Sequence, residues 1–186
     1  MSLEEIAKKI CAKGQGILAA DESSGTMKKR LTSVNVEDTE KNRLSFRETL
    51  FSSKAMKDYI GGVILFDETI RQKTLTGLTV CELISQNSSI PGIKVDAGAK
   101  PLSGSLDETI TEGLDGLRGR LQEYYKTGAR FTKWRGVYNI GEKYPSVQSI
   151  KSNAHALARY AALVQETNMV PIVEPEVLMD GTHDIE

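Results

Sequence analysis

The amino-acid sequence predicts an α/β fold in which parallel strands alternate with helices. Five short apolar segments of strand character are separated by segments with helical spacing, which is typical of β/α units. Charged residues stand near the carboxyl ends of four of these strands, and the sequence contains no GxGxxG or Walker-type turn. Together these observations favour a β/α barrel over a doubly wound sheet.

The strand and helix segments follow one another along the whole chain. No internal repeat, low-complexity tract or linker marks a second domain, so residues 1–186 are predicted to form one unit. The predicted strands are residues 16–21, 61–66, 91–96, 129–135 and 170–176. The predicted helices are residues 2–13, 26–31, 38–51, 68–75, 79–85, 116–126 and 146–167, and residues 100–105 are predicted to form a loop.

The fifth strand carries two carboxylates, Glu174 and Glu176, two residues apart. Successive strand residues point to opposite faces, so both carboxylates leave the same side. A strand buried on both faces should be a nearly continuous apolar run, and paired charges within it indicate that its inner side lines something polar. We interpret this polar region as an active site.

Cations follow the same pattern on the fourth strand. Lys133 and Arg135 flank Trp134, which sends both cations to one face and the indole to the other. Asp21 ends the first strand, and Lys94 lies near the end of the third strand. The alternative is that these charges only terminate strands and contact water or one another.

Composition narrows the classes of function. Twenty-four Lys and Arg against 25 Asp and Glu give a net charge of −1, which argues against a nucleic-acid partner. No apolar run approaches the length of a membrane span, so we expect a cytoplasmic protein. The two cysteines form no CxxC pair and the two histidines no HxH or HExxH spacing, so no metal site is expected. Acid–base chemistry then falls to carboxylates and lysines.

The segment from Ser23 to Thr26 follows a strand and opens a helix. Backbone N–H groups and hydroxyls at a positive helix end can receive an anion such as phosphate. The alternative is an ordinary helix cap, with nearby surface arginines.

Five motifs, in chain order, closely resemble class I fructose-bisphosphate aldolase. They are LAADES at 18–23, GVILF at 62–66, GIKVD at 92–96, KWR at 133–135 and VPIVEPE at 170–176. The resemblance implies a (β/α)8 TIM barrel, here incomplete with about five parallel strands. It also implies a glycolytic lyase that reversibly cleaves fructose 1,6-bisphosphate to dihydroxyacetone phosphate and glyceraldehyde 3-phosphate. Such enzymes use a lysine Schiff base and neither metal nor cofactor, and they commonly form homotetramers.

The resemblance also implies roles for individual residues. Asp21 matches the carboxylate that engages the substrate C4 hydroxyl, and Glu174 matches the acid–base residue of the cleavage. Glu176 matches a partner of the active-site lysines, and we expect it to act as a negative neighbour of Glu174. The cations Lys133 and Arg135 match groups that stabilise developing charge and hold substrate oxygens. The residues matched to phosphate or substrate binding are Ser23, Thr26, Lys94, Arg30 and Arg43.

The Schiff-base lysine of the family lies on the sixth strand, and this chain stops at Glu186, shortly after the fifth. We therefore expect a chain truncated before the nucleophile, inactive alone and marginal, aggregation-prone or dependent on a complementary fragment. From the residues alone, Lys133 or Lys94 would be chosen as the imine former. Another lysine-dependent barrel lyase or transaldolase, or a non-catalytic fragment that binds sugar phosphate, therefore stays an alternative.

Overall fold

The computed structural model describes residues 1–105 and 107–184, and in it five parallel strands form one curled sheet. The prediction of an α/β chain with five parallel strands is confirmed. The strands are β1 Gly16–Ala20, β2 Ile60–Leu65, β3 Ile90–Lys94, β6 Phe131–Tyr138 and β7 Val170–Val177, in the spatial order β1-β2-β3-β6-β7. Two further short strands, β4 Ala99–Pro101 and β5 Thr109–Thr111, pair as an antiparallel hairpin.

The helices cover the outer face of the sheet and its amino-terminal end. They are α1 Leu3–Ile10, α2 Ser24–Ser33, α3 Glu40–Phe51, α4 Ala55–Tyr59, α5 Asp67–Ile70, α6 Val80–Gln86, α7 Leu117–Thr127 and α8 Val147–Glu166. Most of them coincide with predicted helical segments. The short helix α4 and the β4–β5 hairpin are not predicted by the sequence pattern, since neither is long enough to show a period.

The predicted helix over residues 68–75 is wrong beyond its first turn. α5 ends at Ile70, and the chain then turns back so that the Thr74 N–H donates to the Leu78 carbonyl at 2.8 Å. Gly77 takes a left-handed conformation in this turn, with φ of +86°, which no continued helix allows. Thr79 caps the next helix, α6, and Glu82 completes its capping box.

An apolar layer fills the amino-terminal end of the curled sheet. Ile64, Phe131 and Ile172 point inward from three strands and contact Ile6 and Ile10 of α1. α1 begins at a Ser2 capping box, so its apolar stripe is directed at this layer. Burying each such side chain stabilises the fold by about 1.5–3 kcal/mol.

The outer face of the sheet forms the larger core, and β6 is fastened there to α8. Trp134 is fully buried and its ring centroid lies 5.3 Å from that of Tyr160. The Tyr160 hydroxyl lies 2.6 Å from Thr132 Oγ1 and donates to the Ile172 carbonyl at 3.2 Å. Because Thr132 and Trp134 face outward, Lys133 between them must face inward.

The β4–β5 hairpin is held close to the end of β6. Thr111 Oγ1 donates to the Arg135 carbonyl at 2.6 Å, and the buried Asn153 side chain of α8 donates to the Thr109 carbonyl at 2.9 Å. Glu108 accepts hydrogen bonds from the Ser146 N–H and hydroxyl at the start of α8. The hairpin is thereby attached to both β6 and α8.

We predict that Gly92→Ala destabilises the chain. A Cβ at Gly92 would lie 2.3 Å from the Phe131 ring, and this ring is fully buried in the inner layer. Overpacking of this kind costs about 1–3 kcal/mol, measurable as the free energy of unfolding in urea.

The matched control is Gly119→Ala within α7, where an added Cβ would meet no atom within 4 Å. That change should stabilise the chain by about 0.5–1 kcal/mol, because alanine favours a helix. If the two substitutions changed the free energy of unfolding equally, the inner layer would not be tightly packed around Gly92.

Candidate active site

A cleft of about 380 Å³ lies at the carboxyl ends of the strands, above the apolar layer. It gathers residues that the sequence predicts for the site from β1, α2, β3 and β6. Those lining it are Asp21, Ser23, Thr26, Arg30, Lys94, Lys133 and Arg135. A larger cleft of about 930 Å³ between the strand ends and α7 includes Lys94 but none of the other six residues. The smaller cleft is therefore the candidate active site.

Lys133 connects both edges of the described sheet. Its Nζ lies 3.2 Å from Asp21 Oδ2 after β1 and 3.2 Å from Glu174 Oε1 on β7. β1 and β6 are three positions apart in the sheet, which would separate them by about 14 Å if the sheet were flat. The contact with Asp21 is possible only because the sheet curls.

Burial and charge act on Lys133 in opposite directions. Partial burial of the amine lowers its pKa, whereas the carboxylates of Asp21 and Glu174 raise it, and the net result is a raised pKa. Lys133 is thus an ammonium at neutral pH in this arrangement. It is suited to hold an oxyanion, and it is poorly suited to attack a carbonyl as a neutral amine.

Lys94 is the register partner of Lys133 across β3 and β6. Two neighbouring cations on one face repel each other unless each has its own counter-charge. Lys94 Nζ lies 2.6 Å from Asp96 Oδ1, and the Asp96 side chain is only 3% exposed. The Asp96 carboxylate also accepts the Gly98 N–H at 3.0 Å, which fixes the chain after β3.

Asp96 is missing from the residues that the sequence predicts for the site. Its signal was its position two residues after Lys94, on the same face as that lysine. The short strand β3 ends at Lys94, so only the structure reveals that the Asp96 carboxylate folds back onto the amine.

Ser23 caps α2 and directs the start of this helix toward the cleft. Its Oγ accepts the Thr26 N–H at 3.3 Å and lies 3.2 Å from Thr26 Oγ1. The predicted helix start at this loop is therefore present, and both hydroxyls line the cleft. N–H groups of the first helical turn and the helix dipole favour an anion at such a position.

Glu174 and Glu176 each contact a cation. Glu174 pairs with Lys133, and Glu176 Oε2 lies 3.0 Å from Arg135 Nη1. We expected Glu176 to act as a negative neighbour of Glu174 and a partner of lysines, but its partner in the structure is an arginine. The side chains of Arg135 and Glu176 are 45% and 36% exposed, so this pair contributes little to stability.

The arginines that the sequence predicts for substrate binding separate in the structure. Arg30 lines the cleft, whereas Arg43 lies outside its lining and is bonded to Asp38 and Glu68. Neither Glu22 nor Arg47 is among the residues that the sequence predicts for the site. Glu22 lines the cleft, and Arg47 is buried behind it.

Two further findings concern the described residues, 1–105 and 107–184. They contain no group of three or more His, Cys, Asp or Glu side chains arranged to hold a metal ion. None of their helices combines the length and apolar character needed to traverse a bilayer.

Comparisons with known proteins agree on one family. The model of the fructose-bisphosphate aldolase class-I family matches residues 2–186. The chain is 58% identical over 184 residues to a probable fructose-bisphosphate aldolase class 1 of Xanthomonas campestris pv. campestris, covering 99% of this chain and 55% of that protein. It is 56% identical over 183 residues to the cytosolic fructose-bisphosphate aldolase 5 of Arabidopsis thaliana, covering 98% of this chain and 51% of the relative.

A solved structure matches the fold over the same region. It is fructose-bisphosphate aldolase from Plasmodium falciparum in complex with TRAP and a small-molecule inhibitor. The TM-score is 0.96 at 47% identity, with 98% of this chain and 53% of that chain covered. The chain thus spans about half the length of the relatives that it matches.

We predict that Arg43→Met destabilises the chain most at neutral pH. The hydrogen bonds from Arg43 hold the pKa of the Glu68 carboxyl below its ordinary value. The stability that this pair contributes is therefore present above the ordinary carboxyl pKa and lost as the pH falls through the lowered value. We expect a loss of about 1–2 kcal/mol at pH 7 and a smaller loss near pH 3, measured by urea unfolding.

The control is Arg118→Met, since Arg118 pairs with Glu166 and both side chains are more than half exposed. That variant should unfold like the parent chain. An Arg43→Met loss that is equally large at both pH values would contradict the contribution of Glu68.

Proposed function

The chain belongs to the class I fructose-bisphosphate aldolase family, and we propose that it carries the substrate-binding and acid–base half of the aldolase site. The reaction is the reversible cleavage of fructose 1,6-bisphosphate to dihydroxyacetone phosphate and glyceraldehyde 3-phosphate. One observation supports this proposal most strongly. On the inner face of a curled parallel sheet, the Lys133 ammonium lies 3.2 Å from a carboxylate oxygen of Asp21 and 3.2 Å from one of Glu174.

Acid–base work falls to the two carboxylates beside Lys133. We assign Asp21 to the substrate C4 hydroxyl and Glu174 to proton transfer during carbon–carbon cleavage. Asp21 and Glu174 approach the same ammonium from opposite edges of the sheet, so a substrate between them can meet either carboxylate. Displacement of Lys133 by a substrate oxygen would free a carboxylate to accept a proton.

The cations have a supporting role in this scheme. Lys133 and Arg135 would stabilise negative charge that develops on substrate oxygens, with Glu176 holding Arg135 in place. The raised pKa of Lys133 favours the ammonium form over the neutral amine that imine formation needs, and the Lys94 Nζ is held by the Asp96 carboxylate at 2.6 Å. We therefore propose that the Schiff base forms on a lysine outside these five strands, on the sixth strand of the family fold.

One substrate phosphate is assigned to the start of α2. Ser23, Thr26 and Lys94 all line the cleft. A dianionic group there would gain hydrogen bonds from hydroxyls and the favourable end of the helix dipole. Arg30 would add a guanidinium at the rim, where its side chain is 54% exposed.

The wider role follows from the same family. We propose a glycolytic lyase that works without metal or cofactor in the cytoplasm, in keeping with the cytosolic relative of Arabidopsis thaliana. A homotetramer is the assembly that we propose for the complete enzyme. No nucleic-acid or membrane partner is part of this proposal.

We predict that the chain binds fructose 1,6-bisphosphate and that Thr26→Val weakens this binding about fivefold. The substitution keeps the side-chain shape and the backbone N–H but removes one hydroxyl, worth about 1 kcal/mol as a hydrogen bond. Isothermal titration calorimetry measures both dissociation constants.

The control is Thr32→Val on the same helix, at an exposed position outside the cleft lining. It should leave the dissociation constant unchanged. If the parent chain does not bind the bisphosphate, the proposed function is contradicted. If both variants weaken binding equally, the assignment of the phosphate site to the start of α2 is wrong.

We also predict that neither Lys133 nor Lys94 forms an imine with substrate. The chain would be mixed with dihydroxyacetone phosphate, reduced with borohydride and mapped by peptide mass spectrometry. Both lysines should stay unlabelled, because Lys133 has a raised pKa and the Lys94 amine is held by the Asp96 carboxylate.

The reagents are checked in parallel on a longer class I relative, such as the Xanthomonas protein, which should become labelled. If borohydride traps a substrate imine on Lys133 or Lys94, the result would instead support a lysine-dependent lyase or transaldolase that uses a strand lysine of this chain. Bisphosphate binding with no cleavage would be the signature of a non-catalytic sugar-phosphate-binding fragment.

A further inference from the structure

The exposed guanidinium at the rim of the cleft already has an acidic partner. Arg30 Nη1 donates a close hydrogen bond to Glu22 Oε1, and the two residues face each other from α2 and the end of β1. Arg30 is 54% exposed at its side chain, whereas Glu22 is only 12% exposed. The arginine can therefore move toward solvent, and the glutamate is fixed.

Glu22 is fixed from behind by Arg47 of α3. Arg47 is 1% exposed, and its Nη2 donates to the Glu22 backbone carbonyl at 2.6 Å. Its Nη1 donates to Thr69 Oγ1 at 2.7 Å. The same Nη2 lies 3.7 Å from Glu22 Oε2, within ion-pair distance but beyond a hydrogen bond.

The charges in this group are paired, but their hydrogen bonds are incomplete. Glu22 Oε2 and Arg47 Nε are both buried side-chain atoms without a hydrogen-bond partner among the described residues. Glu22 therefore keeps a counter-charge in Arg47 if Arg30 turns away. Without Arg47, departure of Arg30 would leave a mostly buried carboxylate unpaired, which is strongly unfavourable.

We propose that Glu22 competes with phosphate for Arg30 and so sets the phosphate affinity of the cleft. An arriving phosphate can take over the Arg30 guanidinium in a bidentate contact, while Arg47 remains as the counter-charge of Glu22. In the unliganded chain Glu22 holds Arg30 at the rim. This inference rests on the proposed function in taking the cleft as a phosphate site.

The test is a gain of affinity in Glu22→Gln. Glutamine keeps the shape and one oxygen acceptor for Arg30, but it removes the competing charge. We expect inorganic phosphate and fructose 1,6-bisphosphate to bind about three- to tenfold tighter than to the parent chain, measured by calorimetry at low salt. Damage to the fold would weaken binding, so a gain separates this role from a structural one.

Two comparisons locate the gain at Arg30. Glu37→Gln removes the same charge at an exposed position in the loop after α2 and should change the affinity by less than about twofold. In the background of Arg30→Met, Glu22→Gln should give no gain, because the competed group is gone. A gain that persists without Arg30, or a Glu22→Gln affinity equal to or weaker than that of the parent, would overturn the inference.

A measurement on the parent chain covers the case in which Glu22→Gln does not fold. During a phosphate titration followed by NMR, the Arg30 Nε–Hε signal should shift to saturation together with the Thr26 amide. If the Thr26 amide shifts and the Arg30 signal does not, the proposed function stands and the competition is refuted. If neither shifts, the phosphate site and the inference both fail.

Discussion

The Lys133 ammonium lies in contact with one carboxylate from each edge of the described sheet, and this contact constrains the rest of the site. Asp21 and Glu174 are both 3.2 Å from its Nζ, although their strands occupy opposite ends of the five-strand order. In a flat sheet the strand of Asp21 would lie about 14 Å from that of Lys133, beyond the reach of the lysine side chain, whereas Glu174 is on the neighbouring strand. The ion pair between Lys133 and Asp21 in the cleft therefore depends on the curl of the sheet.

The alternation of side chains along β6 explains how one strand supports both a core and a charged cleft. Phe131 faces inward at the amino end, in the apolar layer closed by α1, and Lys133 faces inward one step higher. Thr132 and Trp134 face outward and are held by Tyr160 of α8. The apolar layer below excludes water, which strengthens the ion pairs above it.

The five strands and the inward charges could be predicted from sequence because they follow from a period of two. Lys133 and Trp134 take opposite faces in any strand, whatever the rest of the fold. Which carboxylate meets which cation could not be predicted, because this depends on the curl of the sheet and on strands far apart in the chain. Glu22 and Asp96 contact cations that are close in the chain, Arg30 and Lys94, but both carboxylates lie just past the end of a strand, where the period of two no longer applies.

The arginines show the limit of residue type as a guide. Arg43 matches a family arginine assigned to substrate binding, yet it lies in an ion-pair group with Asp38 and Glu68 outside the cleft lining. Arg47, four residues later, is buried behind the cleft and orients Glu22. Helix α3 presents the two arginines at successive turns, so their side chains lie close together but reach different partners.

A double-mutant cycle on Asp21 and Lys133 tests the central contact directly. The free energies of unfolding of Asp21→Asn, Lys133→Met and the double variant would be measured against the parent chain in urea. If the ammonium bridges the sheet edges, the double variant should lose less stability than the two single losses combined, with a coupling of about 1–3 kcal/mol. Losses that add to within about 0.5 kcal/mol would mean that Asp21 and Lys133 do not meet in solution.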